Sequence, residues 1–165
     1  MSGLEIERKF LVRHGDAYKG EAYSSSHIKQ GYFEARNTVR IRVRDDKAYL
    51  TIKGKSTNDG LTRYEFETEI TLDEAEHLMA LCEPGIIDKT RYLVRCGTHT
   101  FEVDEFYGEN EGLVVAEVEL KSENEPYEKP DFIGPEVTGD RRFYNTCLRK
   151  NPYPNWRDTI PEEYR

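Results

Sequence analysis

The stretch Glu5-Ile6-Glu7-Arg8-Lys9-Phe10 places a charged residue at every second position near the beginning of this chain of 165 residues. Because successive side chains of a β-strand point to opposite faces, the pattern predicts a strand over residues 4–12. Ile6 and Phe10 would lie on one face of this strand, and Glu5, Glu7 and Lys9 on the other. The first strand is therefore predicted to have one apolar face and one charged face.

The same period of two recurs along most of the chain and predicts seven further strands. We place them at residues 27–35, 38–44, 48–55, 61–71, 86–95, 98–107 and 113–121. Short turns, among them Asn58-Asp59-Gly60, join most of these strands in hairpin order. The order predicts an α+β fold that is mainly antiparallel β, and closing the sheet into an eight-stranded barrel would remove its exposed edges.

Two segments predict helices that would cover the barrel. Residues 73–81 form the clearer one, with an N-cap at Thr71 or Asp73 and a stop at Pro84-Gly85. Residues 139–150 are predicted to form the second helix. Each segment carries apolar side chains at helical spacing, so each needs an apolar surface on which to pack.

The rest of the chain contains no linker or break in composition that would divide it. We therefore predict a single domain over residues 1–150. Residues 13–26 are predicted to be a loop or a short helix, and residues 123–134 a polar connection. An extended tail is predicted over residues 151–165, which either docks on the domain or frays.

Composition argues against several classes of function. The 32 acidic and 24 basic residues give a net charge of -8, which is unlike a general nucleic-acid-binding protein. No run of about 18 apolar residues predicts a membrane-spanning helix. The beginning of the chain does not resemble a signal peptide, and the three cysteines are widely spaced without a CxxC motif. These features predict a cytoplasmic protein without a disulfide framework or a zinc site.

The charged strand faces are segregated by sign. The rows of like charge are Glu5/Glu7, Arg40/Arg42/Arg44, Glu65/Glu67/Glu69, Glu117/Glu119, Lys53/Lys55 and Lys89/Arg91. Residues two apart on a strand lie about 6.6 Å apart on the same side. Like charges this close repel one another unless a ligand or an opposite charge compensates them.

Alternation alone is compatible with two orientations of the barrel. In one, the charged faces are solvated and the apolar faces fill the centre. In the other, the charged faces line the inside and the apolar faces lie under helices or a partner subunit. Segregation by sign favours the second orientation, as do the apolar stripes of the two predicted helices, such as Leu78 and Phe143.

An inward orientation would bring together two kinds of ligand chemistry. Carboxylate oxygens are the usual protein ligands of Mg²⁺ or Mn²⁺. Arginine and lysine bind and neutralise phosphate oxygens. A tunnel lined by both would bind a metal–polyphosphate complex and could catalyse phosphoryl transfer, which depends mainly on positioning and charge neutralisation.

Several short motifs follow one another with the parity expected of strands. They are Glu5-Ile6-Glu7-Arg8-Lys9, Gln30-Gly31-Tyr32, Arg40-Ile41-Arg42, Thr51-Ile52-Lys53, Tyr64-Glu65-Phe66-Glu67, Lys89-Thr90-Arg91-Tyr92, Glu102-Val103-Asp104, Ala116-Glu117-Val118-Glu119 and the segment 136–145. Over nearly the whole chain this order resembles the CYTH family, the triphosphate tunnel metalloenzymes. The resemblance implies an eight-stranded tunnel with a charged interior.

The resemblance also implies functional residues. The metal side would comprise Glu5, Glu7, Glu65, Glu67, Asp104, Glu117 and Glu119. The phosphate side would comprise Lys9, Arg40, Arg42, Lys53, Lys89 and Arg91, with Arg141 or Arg142. The implied cofactor is Mg²⁺ or Mn²⁺.

Our mechanistic hypothesis uses two metal ions. One would bridge the triphosphate and the Glu5/Glu7 side, and the other, near Glu117/Glu119, would lower the pKa of the attacking water. Lys9 and Arg91 would stabilise charge on the transferring and leaving groups. Lys9, Arg91 and Glu117 are therefore the predicted catalytic residues.

The short single-domain form resembles the bacterial inorganic triphosphatases of the family. Alternatives are an enzyme similar to class IV adenylate cyclases, and a hydrolase of thiamine triphosphate or nucleoside triphosphates. A binding module for polyphosphate or nucleotides, without turnover, is an alternative of another class. The expected partner is a small triphosphate compound, with no nucleic acid and no membrane, and the outward apolar strand faces favour a homodimer.

Overall fold

The computed structural model of the protein describes residues 4–57 and 59–165, so Asn58 of the predicted turn lies outside the described residues. The strands are β1 (Leu4–Val12), β2 (Ser24–Tyr32), β3 (Thr38–Arg44), β4 (Lys47–Lys53), β5 (Thr62–Ile70), β6 (Ile87–Cys96), β7 (His99–Phe106), β8 (Val114–Glu119) and β9 (Ile133–Glu136). The helices are α1 (Ala17–Glu21), α2 (Leu72–Ala80) and α3 (Asn145–Leu148). Single 3-10 turns lie at Gly108–Asn110, Arg141–Phe143, Tyr153–Asn155, Arg157–Thr159 and Glu162–Tyr164.

The first eight strands form a closed antiparallel barrel. Hydrogen-bonded neighbours follow the order β5-β4-β3-β2-β6-β7-β8-β1, and β1 pairs again with β5. The barrel closes because β1 pairs with both β5 and β8. Leu4–Ile6 pair with β5, and the following residues from Glu7 to Leu11 pair with β8. The predicted eight-stranded barrel is confirmed.

β9 is an additional strand that the sequence analysis did not predict; its first two residues, Ile133 and Gly134, fall in the predicted polar connection. It pairs with the end of β1, where Glu136 lies opposite Phe10 and Ile133 opposite Val12. The register shifts between these two pairs. A strand of four residues with an irregular register is too short to show a period of two, which explains why the pattern did not reveal it.

The apolar strand faces point outward and are covered by short elements. Phe10 and Val103 are buried in an outer cluster beneath Tyr18 of α1. On another side of the barrel, Ile41 packs in a cluster that includes Ala75 of α2. The charged faces therefore point inward, as the resemblance implied.

α2 begins with a capping box. The Thr71 side chain accepts a hydrogen bond from the Glu74 backbone N–H, and the Glu74 carboxylate accepts one from the Thr71 N–H. Thr71, one of the two predicted alternatives, is therefore the N-cap. α2 has nine residues, and within the described ranges no helix has the length and apolar character needed to cross a membrane.

The inner face of the barrel becomes apolar at one end, where the C-terminal segment closes it. We call residues 141–160 the C-terminal plug. Leu11 and Phe106, which continue the inward rows of β1 and β7, belong to one buried cluster with Phe143, Tyr153 and Trp156 of the plug. The cavity is therefore closed by the plug at this end and open at the other.

The plug differs from the helix predicted over residues 139–150 and from the predicted extended tail. Tyr144 is extended, with φ -71° and ψ 133°, and separates a 3-10 turn from the short helix α3. This break allows Phe143 and Leu148 to be buried together against the barrel. Beyond α3 the chain forms three single 3-10 turns, and the tail is docked, because Trp156 is buried.

Two glycines meet where the hairpin between β4 and β5 touches the segment before the plug. Gly60 has a φ of 78° and Gly139 a φ of 82°, and a Cβ added to Gly60 would lie 2.5 Å from the Gly139 Cα. We expect Gly60→Ala to lower the free energy of unfolding by ~1–3 kcal/mol, measured by urea denaturation. Gly20→Ala is the control, because a Cβ there meets nothing within 4 Å. Equal losses in both variants would contradict the close approach.

Candidate active site

The inward charged side chains surround one cavity of about 190 Å³ inside the barrel. Twelve of the predicted site residues line it: Glu5, Glu7, Lys9, Arg40, Arg42, Lys53, Glu65, Glu67, Lys89, Arg91, Glu117 and Glu119. Tyr144, Asn145 and Thr146 of the plug also line it. The six basic residues among the twelve expose only 1–9% of their surface. The strands thus bring the sequence-separated rows into one enclosed site.

Acidic side chains concentrate on the wall formed by β1, β7 and β8. Glu7 of β1 lies directly opposite Glu119 of β8, and Glu117 of β8 lies opposite Glu102 of β7. Like charges in such opposed positions of antiparallel strands destabilise the sheet. The fold therefore concentrates negative charge on one side of the cavity.

Crowding shifts the pKa values of two of these acids in opposite directions. Burial raises the pKa of Glu7 well above its usual range, and the carboxylates of Glu117 and Glu5 add to this effect. Burial also acts to raise the pKa of Glu117, but Lys9, a hydrogen bond from Glu7 and the charge of Arg91 outweigh it and hold that pKa well below its usual range. The environment thus favours the charged form of Glu117 and the protonated form of Glu7.

The basic side chains crowd the opposite side of the cavity. Burial lowers the pKa of Arg42 to about 9, and the neighbouring charges of Arg40 and Arg91 act in the same direction. Burial also lowers the pKa of Lys89 to about 7, against the opposing effect of Asp104. Cations that are buried and repel one another favour the binding of an anion.

Ion pairs join acidic and basic side chains of the cavity. The distances are 3.1 Å for Lys53–Glu5, 3.2 Å for Lys53–Glu65, 3.6 Å for Arg40–Glu67 and 3.4 Å for Lys9–Glu117. Within residues 4–57 and 59–165, no three Asp, Glu, His or Cys side chains are gathered into a group that could hold a metal ion. Four of the carboxylates, Glu5, Glu65, Glu67 and Glu117, are instead paired with lysine or arginine.

Asp104, which the resemblance implied on the metal side, is paired with two basic residues in the structure. Its two carboxylate oxygens accept hydrogen bonds from Arg91 Nε at 2.8 Å, Arg91 Nη2 at 2.9 Å and Lys89 Nζ at 2.7 Å. Burial acts to raise its pKa, but the charges of Arg91 and Lys89 outweigh this and lower it to about 2. Asp104 therefore lies among the basic residues and orients two of them.

Comparison with known protein families matches the CYTH domain to residues 3–144. The chain belongs to the CYTH family. The match covers all eight strands of the barrel and most of the residues that line its cavity. The predicted resemblance is therefore confirmed, and triphosphatases of the CYTH family are in general metal-dependent.

Relatives within the CYTH family are similar over most of their length. The inorganic triphosphatase of Acetivibrio thermocellus is 52% identical over 159 residues, which cover 94% of this chain and 99% of that protein. The inorganic triphosphatase of Nitrosomonas europaea is 33% identical over 150 residues, covering 87% and 95%. A crystal structure of the inorganic triphosphatase NE1496 has a TM-score of 0.63 and 31% identity, and covers 88% of this chain and 93% of that one.

Arg141 and Arg142 do not line the cavity of this CYTH barrel. The Arg142 guanidinium donates to both carboxylate oxygens of Asp140 and to Thr159 Oγ1, and it lies 5.2 Å from the centre of the Trp156 ring. Arg141 is exposed and borders a second cavity beside the plug. The structure thus separates both arginines from the six buried cations, and we leave them out of the proposed phosphate site.

Sequence reasoning gave no role to several residues that line the CYTH cavity or contact its cations. Glu102 and Arg63 belong to the inward faces of β7 and β5 and line the cavity, so strand parity could have identified them. Gln30 was part of a quoted motif but received no role. Asn145 lies on the plug, and no local pattern indicates that this segment reaches into the barrel.

Proposed function

We propose that this chain hydrolyses inorganic triphosphate to diphosphate and phosphate. The observation that carries the proposal is the enclosed cavity, in which a wall of opposed carboxylates faces buried, mutually repelling cations. Such a site suits a compact polyanion bound together with a metal cation. The extensive similarity to inorganic triphosphatases supports the choice of substrate.

The carboxylates fit a divalent cation. Glu5, Glu7, Glu117 and Glu119 supply hard oxygen donors, which suit Mg²⁺ or Mn²⁺. Burial raises the pKa of Glu119, and the nearby carboxylate of Glu5 adds to this effect. A cation bound at these carboxylates would therefore replace their protons and relieve the repulsion between them. Glu65 and Glu67, which pair with Lys53 and Arg40, lie at the edge of this set.

The phosphate groups would bind to Lys9, Arg40, Arg42, Lys53, Lys89 and Arg91. Arg40 lines the cavity, and its buried Nε has no hydrogen-bond partner in the described part of the chain. A buried donor without a partner costs free energy, and a phosphate oxygen would satisfy it. Binding would also separate cation–carboxylate pairs such as Lys53–Glu5 and release carboxylates for metal.

In the proposed reaction, the oxygen of a water molecule bonds to the terminal phosphorus as the phosphoanhydride bond breaks. The bonding electrons leave with the diphosphate, and the proton that the water loses passes to phosphate oxygens of the products or to solvent. A bound divalent ion would supply neutralisation of phosphate charge and acidification of the water. Glu117, which is ionised, orients the water, while Lys9 and Arg91 stabilise charge on the transferring and leaving groups.

The test is phosphate release from inorganic triphosphate with Mg²⁺ or Mn²⁺, before and after EDTA. We expect release with either metal and a loss of at least about 10²-fold on chelation. ATP and thiamine triphosphate serve as competing substrates in the same assay. Faster turnover of either, or formation of cyclic AMP, would reject inorganic triphosphate as the preferred substrate, and binding without release would reject catalysis.

A further inference from the structure

Asn145 of the plug joins two cations of the cavity through a network of amides. Its Oδ1 atom accepts hydrogen bonds from Lys89 Nζ at 3.1 Å and from Gln30 Nε2 at 3.0 Å. Gln30 is fully buried, and its Oε1 accepts from Arg42 Nε at 2.8 Å. Gln30 Nε2 also donates to the Tyr32 hydroxyl at 2.9 Å. One neutral chain of hydrogen bonds thus connects Arg42 to Lys89.

The orientation of both amides follows from their neighbours. Arginine and lysine can only donate hydrogen bonds, so the Gln30 oxygen must face Arg42 and the Asn145 oxygen must face Lys89. The Gln30 amino group is then left to face the Asn145 oxygen. Both amides therefore have one allowed orientation, and through them Arg42 and Lys89 belong to one hydrogen-bonded chain.

The network leaves donors available for a ligand. An ammonium group has three N–H bonds: Lys89 uses one toward Asp104 and one toward Asn145. Arg42 uses its Nε toward Gln30, which leaves both of its terminal NH₂ groups for phosphate oxygens. Asn145 accepts from these side chains without adding negative charge, so the cations keep their attraction for phosphate.

Neighbouring plug residues act on another cation. The Phe143 main-chain oxygen accepts a hydrogen bond from Lys9 Nζ at 3.3 Å, and the same ammonium lies 5.1 Å from the centre of the Tyr144 ring. Consecutive residues of the plug therefore contact two of the three buried lysines, Lys9 and Lys89, with neutral groups. Asn145 lies one residue beyond the segment matched to the CYTH domain.

We propose that Asn145 is a positioning residue for phosphate binding, which sets the direction of Lys89 directly and that of Arg42 through Gln30. The proposal rests on the triphosphatase function. It makes the C-terminal plug a part of the substrate site in addition to a closure of the barrel. A purely structural role would instead confine the effect of Asn145 to the stability of the plug.

The experiment compares Asn145→Ala and Asn145→Asp with the wild type. Asn145→Ala removes the shared acceptor, and we expect KM for triphosphate to rise roughly 10-fold with kcat within about threefold of the wild type. Asn145→Asp keeps both acceptor contacts, so its melting temperature should stay close to the wild type. Its added negative charge should nevertheless raise KM by more than Asn145→Ala does.

Asn110→Ala is the matched control. Asn110 is also buried and binds the plug, because its Oδ1 accepts a hydrogen bond from the Tyr153 N–H at 2.9 Å, but it does not line the cavity. This variant should lower the melting temperature and leave KM unchanged. The proposal would be overturned if Asn145→Ala lowers the melting temperature without changing KM and Asn145→Asp also leaves KM unchanged.

Binding measured without turnover separates this proposal from the proposed function. Calorimetric titration of inorganic triphosphate in EDTA gives a Kd for each protein, and Kd should rise in the same order as KM. If the wild type binds triphosphate without hydrolysing it, the triphosphatase function fails while the Kd values still decide the role of Asn145. If the wild type hydrolyses triphosphate and its Kd equals that of the Asn145 variants, the role of Asn145 alone is overturned. A wild type that neither binds nor hydrolyses triphosphate would overturn both proposals.

Discussion

Replacing Glu117 with glutamine is expected to lower kcat for triphosphate hydrolysis by ~10²–10³-fold. Glu117 is ionised in the folded protein because Lys9, a hydrogen bond from Glu7 and Arg91 together outweigh the effect of burial on its pKa. Glutamine keeps the shape but removes the charge that would hold metal and orient the attacking water. It also leaves Lys9, at 3.4 Å, without this counter-charge. The rate of phosphate release at saturating triphosphate and metal measures the effect.

Glu136→Gln is the matched control for this variant. Glu136 also lies on a strand paired with β1 and also binds a cation, Arg8 at 2.9 Å, but it does not line the cavity. Its kcat should remain within about twofold of the wild type. A Glu117→Gln enzyme that folds normally and keeps the wild-type rate would exclude Glu117 from the mechanism.

Asp104→Asn is expected to lower the free energy of unfolding by ~3–5 kcal/mol. Asp104 is 4% exposed and accepts hydrogen bonds from both Lys89 and Arg91. Asparagine would remove the counter-charge of buried Lys89 and one of the two counter-charges of Arg91, which also pairs with Glu102 at 2.9 Å. This loss costs far more than an exposed ion pair contributes. Urea denaturation at neutral pH measures the change. Asp158→Asn, at a side chain that is 98% exposed, should change stability by less than about 0.5 kcal/mol.

Acid sensitivity provides a second measurement on Asp104. Its pKa is lowered from 3.8 to about 2 in the folded protein, so the folded state binds fewer protons than the unfolded state between these values. The resulting stabilisation, on the order of 2 kcal/mol, is fully present above about pH 4 and is lost as the pH falls from about 4 to 2. Asp104→Asn should lose correspondingly less stability over this range. If the wild type and Asp104→Asn lose the same stability as the pH falls, the assignment of the lowered pKa to Asp104 is contradicted.

The strands and their inward residues could be predicted because they depend on a local property of the chain. A period of two places Glu5, Glu7 and Lys9 on one face wherever the strand lies in space. The segregation of signs then indicated which faces needed a ligand. Strand ends were less exact: β2 begins at Ser24, whereas the prediction began at residue 27, because serine-rich segments have weak strand propensity.

The plug could not be predicted for the opposite reason. Its conformation depends on apolar contacts between distant parts of the chain, such as Phe106 with Phe143 and Trp156. Local pattern favoured a continuous helix through residues 139–150, but the structure buries Phe143 and Leu148 against the barrel in a segment that is broken at Tyr144. Tertiary packing here overrides helix propensity.

The sequence by itself determined which side chains share a strand face, which of them carry like charge, and hence that the chain suits a metal and a polyphosphate. Tertiary structure alone decided which cation meets which carboxylate: Asp104 sits with Lys89 and Arg91, Arg142 is turned away toward Asp140, and Asn145 reaches the cavity. The physical reason is that side-chain parity follows from the backbone of a single strand. Ion pairs, in contrast, depend on barrel register and on where the C-terminal segment docks.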